Sequence, residues 1–222
     1  MMKEETAVNI SGVILAGGAS SRFGGKIKTK QIVDGKRIID RIQKVLNSIF
    51  DEIILVTNTP SEFSDFQGII TSDRFRNMGP LGGIHAAMQE STRDAIFVVA
   101  GDMPYLNRAL ILGEIESFSR SGADMLIPVV ENDIEPLHGI YSISLKARLE
   151  DWLAAGNNPE VRKFIETTNA VFFPVIRSES SEKAFTNINS PDDISIHDKK
   201  NEDETTGSNT FSIYTFPKSR NR

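Results

Sequence analysis

Short runs of almost continuous apolar residues recur along the chain, and segments with helical spacing separate them. The clearest apolar runs are 8–15, 52–57 and 95–100, whose length and composition are typical of strands buried on both faces of a sheet. Residues 37–50 carry apolar side chains at every third or fourth position, as on one face of a helix. Strands that alternate with helices are joined by right-handed crossovers. The pattern therefore predicts an α/β fold, a three-layer sandwich around a mainly parallel, Rossmann-like sheet.

The same alternation continues along the rest of the chain, up to about residue 173. We expect strands at 69–71, 124–130, 139–142 and 171–173, and helices at 81–90, 110–119, 146–155 and 158–167. Ligands bind at the carboxyl ends of the strands in such sheets. The glycine and polar residues that closely follow predicted strands should therefore meet at one edge; they are Gly17, Asn58, Asp73 and Asp102.

The composition changes near Ile196. Residues 197–209 have no apolar side chain to bury, so we expect one folded domain over residues 1–196 and a disordered tail over 197–222. Within the tail, residues 211–216 alternate like a strand. This leaves open that the segment is a binding element that docks on a sheet edge.

Composition and charge exclude several classes of protein. The chain has 222 residues, of which 39% are hydrophobic and 25% charged, as in a single α/β domain. It has no cysteine, which excludes disulfides, thiolate metal sites and cysteine nucleophiles. A net charge of −5 gives no footprint of nucleic-acid binding. We see neither a signal peptide nor an apolar run of membrane-spanning length, and we expect a cytoplasmic protein without membrane or nucleic-acid partners.

A glycine-rich segment that carries basic residues directly follows the first predicted strand. Residues 15–28 read L-A-G-G-A-S-S-R-F-G-G-K-I-K, and their four glycines allow backbone N–H groups to approach an anion. Arg22 and Lys28 supply positive charge for a triphosphate. The dinucleotide-binding pattern does not fit, and neither does the Walker A pattern, because Ser20 and Ile27 occupy two of its fixed positions. The segment predicts a triphosphate-binding loop; the alternative is an ordinary tight turn with two surface cations.

Four motifs in order resemble the nucleotidyltransferases of GT-A-like fold, which are of the nucleotide-diphospho-sugar transferase type. Besides residues 15–28 they are G-P-L-G-G at 79–83, G-D-M-P at 101–104 and N-I-N-S-P-D-D at 187–193. The resemblance is greatest to the molybdenum cofactor guanylyltransferases and spans about residues 10–196. It implies transfer of GMP from GTP to the terminal phosphate of molybdenum-molybdopterin, with release of pyrophosphate and with Mg²⁺ as cofactor. It also makes a molybdenum insertase or a molybdoenzyme chaperone a candidate partner.

Asp102 and Lys28 are the central candidates. Asp102 ends an apolar strand and offers carboxylate oxygens to a hard cation such as Mg²⁺, although an aspartate there could also just cap the turn before Pro104. Lys28 matches the family lysine that neutralises charge on the phosphates. The following Lys30-Gln31 resembles cytidylyltransferases of the isoprenoid pathway. Lys30 is therefore an alternative phosphate ligand, and a cytidylyltransferase for another phosphate acceptor is an alternative function.

The resemblance implies roles for further residues. The catalytic residues are Arg22, Lys28 and Asp102, and the nucleotide-binding residues are Leu15, Ala16, Gly17, Gly18, Lys28, Asn58, Asp73, Gly79, Gly82 and Asp102. The acceptor-binding residues are Asn187, Asn189, Arg162 and Lys163.

Several of these residues could have a structural role instead of a binding role. Asp73 could form a surface ion pair with Arg74 or Arg76, Asn189 could cap a short helix, and the pair Arg162–Lys163 could be a solvated helix face. A non-catalytic nucleotide sensor is the rival class of function.

Overall fold

A central sheet organises the computed structural model, which describes residues 9–17, 27–75, 77–189 and Asp193. The strands within these ranges are β1 (Ile10–Leu15), β2 (Ile32–Val33), β3 (Lys36–Arg37), β4 (Ile53–Val56), β5 (Ile69–Thr71), β6 (Ala95–Ala100), β7 (Met125–Val130), β8 (Asp133–Ile134), β9 (His138–Ser142) and β10 (Ala170–Pro174). The α-helices are α1 (Ile38–Leu46), α2 (Gly79–Glu90), α3 (Arg108–Ser121), α4 (Lys146–Ala154), α5 (Val161–Ile165) and α6 (Glu179–Ala184). Short 3₁₀ turns occupy Lys28–Lys30, Pro60–Phe63 and Ile143–Leu145.

The sheet order is β10-β7-β9-β6-β1-β4-β5, with β8 paired to β7. Strands β6, β1, β4 and β5 are parallel to one another, and β10 is parallel to β7. Strand β9 is antiparallel to both of its neighbours, β6 and β7. The predicted α/β fold with a mainly parallel sheet is confirmed. The antiparallel direction of β9 could not be predicted from hydrophobic periodicity.

Helices cover both faces of the sheet. On one face α1 and α3 pack on apolar side chains of the strands, among them Ile14, Leu55 and Phe97. On the other face α2, α4 and α5 pack on Val13, Ile54 and others. The two faces of each central strand are therefore both buried, which explains the continuous apolar runs in the sequence. None of the helices in the described ranges is both long and apolar enough to cross a bilayer.

One buried polar pair interrupts the layer that contains α3. Glu114 of α3 and His138 at the start of β9 are fully buried, with Glu114 Oε1 3.6 Å from His138 Nε2. Neither side chain has a hydrogen-bond partner within the described part of the chain. Burial raises the pKa of the Glu114 carboxyl well above its usual value and lowers the pKa of His138 to about 3. Burial therefore favours the neutral form of both groups, with the proton on the carboxyl group rather than on the imidazole.

Several predicted elements differ from the observed ones. The helix expected at 158–167 spans only Val161–Ile165, because Pro159 disfavours helical backbone at the residue before it. Helix α2 begins at Gly79, since Pro80 is tolerated in a first turn. The β2–β3 hairpin was not expected, although Asp34 and Gly35 at its turn have φ values of 48° and 72° and Asp-Gly is a typical hairpin turn. Strand β8 and helix α6 were also not expected.

Candidate active site

A cleft of about 970 Å³ opens at the carboxyl ends of β1, β4, β5 and β6. It brings together most of the residues that the sequence singled out: Leu15, Ala16, Gly17, Lys28, Asn58, Asp73, Gly79, Asp102, Arg162, Asn187 and Asn189 all line it. The expected convergence of strand-end residues at one edge is therefore what the structure shows. Gly18, Arg22 and Arg76 lie outside the described residues.

Lys28 joins two oxygen-bearing side chains at the centre of the cleft. Its Nζ donates to Asp102 Oδ2 at 3.3 Å and to Asn189 Oδ1 at 3.1 Å. These three residues come from the 3₁₀ turn, the end of β6 and the segment after α6. The side chains of Lys28 and Asp102 keep 27% and 22% of their surface accessible, so the ion pair is open to a ligand in the cleft.

The geometry of the 3₁₀ turn explains why Lys28, and not Lys30, reaches the cleft. With three residues per turn, consecutive side chains point about 120° apart. Thr29 is buried against Gly101, where a Cβ would also lie only 2.9 Å from the carbonyl oxygen of Leu15. Lys30 instead forms an ion pair with Glu62 at 2.8 Å and lies outside the cleft lining. The absence of a side chain at residue 101 thus lets the turn approach β1 and β6 and directs Lys28 towards Asp102.

The segment Asn187–Asn189 is attached to the backbone beside Asp102. The Ile188 N–H donates to the Asp102 carbonyl oxygen at 2.9 Å, and the Ile188 side chain is fully buried. Asn187 and Asn189 are exposed on either side of Ile188 and both line the cleft. This alternation agrees with the extended segment that the sequence suggested. The Asn189 N–H donates to Asp193 Oδ2 at 2.7 Å.

Asp73 and Asn58 form one arm of the cleft, beyond β4 and β5. The Asn58 amide donates to Asp73 Oδ2 and accepts from the Asp73 N–H, both at 3.3 Å. Asp73 is bound to Asn58 rather than to a surface arginine in the described part of the chain. The pKa of Asp73 is raised overall, because the effect of burial exceeds the lowering by the hydrogen bond from Asn58. Next to this arm the first turn of α2 lines the cleft, which brings the positive end of a helix dipole to the site.

The loop between β8 and β9 forms the opposite arm, which the sequence analysis missed. Residues 133–137 all line the cleft, and the Leu137 carbonyl accepts from the Ala100 N–H at 2.9 Å. Arg162 of α5 donates to the Ile134 carbonyl oxygen at 3.1 Å and lies 3.7 Å from Asp133. No recognised motif covers this loop. The acidic residues Asp133 and Glu135, next to Pro136-Leu137, were the feature of the sequence that could have indicated a functional loop.

Two other residues of the predicted site lie outside the cleft lining. Gly82 is buried inside α2, where a Cβ would be 2.8 Å from the carbonyl oxygen of Phe75, so its lack of a side chain serves packing. Lys163 points to Glu166, with Nζ 2.9 Å from Oε1. Arg162 alone of the adjacent pair reaches the cleft.

The donor set at the centre fits a magnesium ion. Asp102 Oδ2 and Asn189 Oδ1 lie within 3.3 Å of the same Lys28 Nζ, which places two hard oxygen donors close together. Mg²⁺ is usually held by one or two protein oxygens, with substrate phosphates and waters as its other ligands. Within the described ranges no cluster of three or more acidic or histidine side chains offers a fuller cage.

Comparison with known proteins identifies the family to which this chain belongs. A family model described as the MobA-like NTP transferase domain matches residues 12–171. The molybdenum cofactor guanylyltransferase of Desulfosudis oleivorans is 35% identical over 136 residues, which are 60% of this chain and 65% of that protein. A Clostridium perfringens protein named "Probable molybdenum cofactor guanylyltransferase" is 33% identical over 198 residues, covering 86% of this chain and 98% of its own.

A solved structure has the same fold. Molybdopterin-guanine dinucleotide biosynthesis protein A from Archaeoglobus fulgidus matches with a TM-score of 0.74 and 25% identity, over 86% of this chain and 98% of the other. The resemblance that four sequence motifs indicated is confirmed. The family model matches well over half of the length of this chain. The chain therefore belongs to the MobA-like NTP transferases and is a nucleotidyltransferase.

Proposed function

We propose that this chain transfers GMP from GTP to the terminal phosphate of a molybdopterin acceptor and releases pyrophosphate, as a step in molybdenum cofactor biosynthesis. The observation that carries the proposal is the contact of Lys28 Nζ with both Asp102 and Asn189 at the centre of the cleft. It places a cation and hard oxygen donors between the arm of Asp73 and the arm of residues 133–137. The names of the relatives supply the acceptor.

The reaction needs positioning and charge neutralisation more than proton transfer. A phosphate oxyanion of the acceptor attacks the α-phosphorus of GTP, the bond to the bridging oxygen breaks, and pyrophosphate leaves with the electron pair. Since the nucleophile is already an anion, no general base is required. Lys28 stabilises negative charge on the phosphates, and the first turn of α2 offers backbone N–H groups to them. A magnesium ion held by Asp102 and Asn189 would supply further positive charge for the triphosphate.

Asp73 favours guanine as the base. Guanine presents a ring N–H beside an amino group, and a carboxylate accepts both hydrogen bonds. Asn58 holds Asp73 in place through two hydrogen bonds. Cytosine presents a different edge and would leave the Asp73 carboxylate with the hydrogen bond from Asn58 but without the donor pair of the base.

The contacts of Lys30 and Gln31 weigh against the alternative of a cytidylyltransferase. Lys30 pairs with Glu62, and the Gln31 amide donates to the Ile27 carbonyl oxygen. Both side chains are thus used in local structure, away from the cleft lining.

Competition between nucleotides tests the proposal. Purified protein is given equal GTP and CTP with molybdopterin and Mg²⁺, and pyrophosphate and the dinucleotide product are measured. We expect GTP to be preferred on the order of a thousandfold in kcat/KM. We expect Asp102→Asn, which removes the charge beside Lys28, to lower turnover on the order of a hundredfold. Use of CTP in preference to GTP, or pyrophosphate release that molybdopterin does not stimulate, would contradict the proposal.

A further inference from the structure

The sheet order places two half-buried carboxylates on opposite sides of Asp102. Asp102 follows β6, which lies between β1 and β9. Asp73 follows β5, on the side of β1, whereas Glu135 lies in the loop that enters β9. Both carboxylates line the same cleft. Each arm of the cleft therefore carries one half-buried carboxylate, whereas Asp133 in the second arm is exposed.

Glu135 lacks the partner that Asp73 has. Asp73 is bonded to Asn58, but the Glu135 carboxylate accepts no hydrogen bond from any of the described residues and lies beyond ion-pair distance of Arg162. Arg162 is engaged by Asp133 and by the Ile134 carbonyl oxygen. Burial raises the pKa of Glu135, Asp133 raises it further, and Arg162 lowers it. The carboxylate is thus partly desolvated, and no hydrogen bond from the described residues replaces the water that it loses.

The chemistry of the cleft restricts what Glu135 can bind. The cleft is built for phosphates, which repel a carboxylate, so its partner must be a hydrogen-bond donor. Desolvated carboxylates are stabilised when neighbouring N–H groups donate to both oxygens. A pyrimidinone ring that carries an amino group presents such a pair, a ring N–H beside an NH₂. Guanine and pterin rings share this edge, and Asp73 already serves the nucleotide.

We infer that Glu135 binds the heterocyclic ring of the second substrate, by accepting hydrogen bonds from its adjacent ring N–H and amino groups. The inference rests on the proposed function for the identity of that ring as a pterin. Glu135 is then a specificity residue: it selects acceptors whose ring carries the donor pair, while Lys28 and Asp102 act on the phosphates. The Glu135 backbone N–H, which donates to the Pro128 carbonyl at 2.9 Å, fixes the loop that presents the side chain.

Direct binding measurements on variants test this assignment. The probe is 6-hydroxymethylpterin monophosphate, whose fluorescence reports binding, and GTP binding is measured in parallel by calorimetry. The variant is Glu135→Gln, which keeps the shape but replaces one acceptor oxygen with a donor. The matched control is Glu166→Gln, an exposed glutamate beside the same arm that lies outside the cleft lining.

We expect Glu135→Gln to weaken pterin phosphate binding on the order of tenfold, with GTP binding unchanged within about twofold. Glu166→Gln should leave both affinities unchanged. In the transfer reaction Glu135→Gln should raise the acceptor KM by a similar factor and leave kcat nearly unaltered. Asp73→Asn should show the opposite pattern, with weaker GTP binding and unaltered pterin binding.

The outcomes separate this inference from the proposed function. Unchanged pterin binding by Glu135→Gln, or weakened GTP binding instead, would overturn the inference and leave guanylyl transfer intact. Pterin binding that depends on Glu135, in a protein that does not use GTP, would overturn the proposed nucleotide and leave the inference standing. If the unaltered protein binds GTP but no pterin phosphate, both the acceptor and the role of Glu135 are wrong.

Discussion

The two lysines of the turn Lys28–Lys30 differ in their contacts. Substituting each in turn should therefore distinguish a lysine that binds phosphates from one that forms a surface ion pair. We expect Lys28→Gln to lower kcat on the order of a hundredfold, because one cation opposite the transferring phosphates is lost. Steady-state pyrophosphate release with GTP and acceptor is the measurement.

Lys30→Gln is the matched control for this prediction. It removes the ion pair with Glu62 and the contact of the Lys30 ammonium with the Phe63 ring, both outside the cleft lining, and should leave kcat within about twofold. A larger effect at Lys30 than at Lys28 would show that Lys30 is the lysine that binds the phosphates. It would also favour the alternative function of a cytidylyltransferase.

At the scale of residues, the motifs predicted most of the side chains that meet in the cleft, while the roles of these side chains stay predictions. Asp102, Lys28 and the two asparagines were found because the motifs place them after strands and turns. Glu135 was missed because it lies on a loop that only the folded sheet brings to the cleft. Gly82 and Lys163 were chosen from the same motifs and neighbours, yet packing and a local ion pair account for them.

At the scale of elements, the contact between α3 and β9 makes stability depend on pH. The raised pKa of Glu114 means that the folded protein keeps a proton that the unfolded chain releases near pH 4.5. Its contribution is present below that pH and is lost as pH rises through the folded pKa. His138 acts in the opposite direction, because its pKa of about 3 makes stability fall as pH falls below about 6.5.

We therefore expect Glu114→Gln to flatten the alkaline side of the stability profile. While the folded and unfolded states differ by this one proton, the free energy of unfolding changes by up to about 1.4 kcal/mol per pH unit. Urea unfolding of the original protein and of the variant between pH 7 and 9, above the range in which His138 acts, gives the two slopes.

The control on the same helix is Glu116→Gln, because Glu116 is exposed and pairs with Arg120. It should keep the original slope. Equal slopes for Glu114→Gln and the original protein would show that the Glu114 carboxyl has no raised pKa.

Element boundaries show what the sequence could and could not determine. The apolar runs of β1, β4 and β6 were long enough to predict, because both of their faces are buried under helices. Strands β2, β3 and β8 have two residues each and carry almost no periodic signal. The direction of β9 depends on its partners across the sheet, which no local pattern encodes.

At the scale of the whole molecule, the boundary between the domain and the tail remains a prediction. The buried core of the described residues extends to Ile188. We expect a chain that ends at Ser195 to keep its turnover and to melt within about 2 °C of the full-length protein, since the removed segment adds little to the core. Thermal unfolding and pyrophosphate release of the two proteins provide the comparison. If the shortened protein is insoluble or inactive, residues 211–216 dock on the domain and the predicted boundary is wrong.

The reversed direction of β9 has a consequence for how such an enzyme can change. Strand β9 begins where β6 ends, with His138 opposite Val99, so a loop that enters the sheet reaches the same edge as the loops that leave it. The loop of residues 133–137 is therefore carried by a different part of the chain from the residues after β1, β4 and β5. Evolution can therefore lengthen or replace that loop without disturbing the arm of Asp73 and Asn58, and the two arms of the cleft can diversify independently.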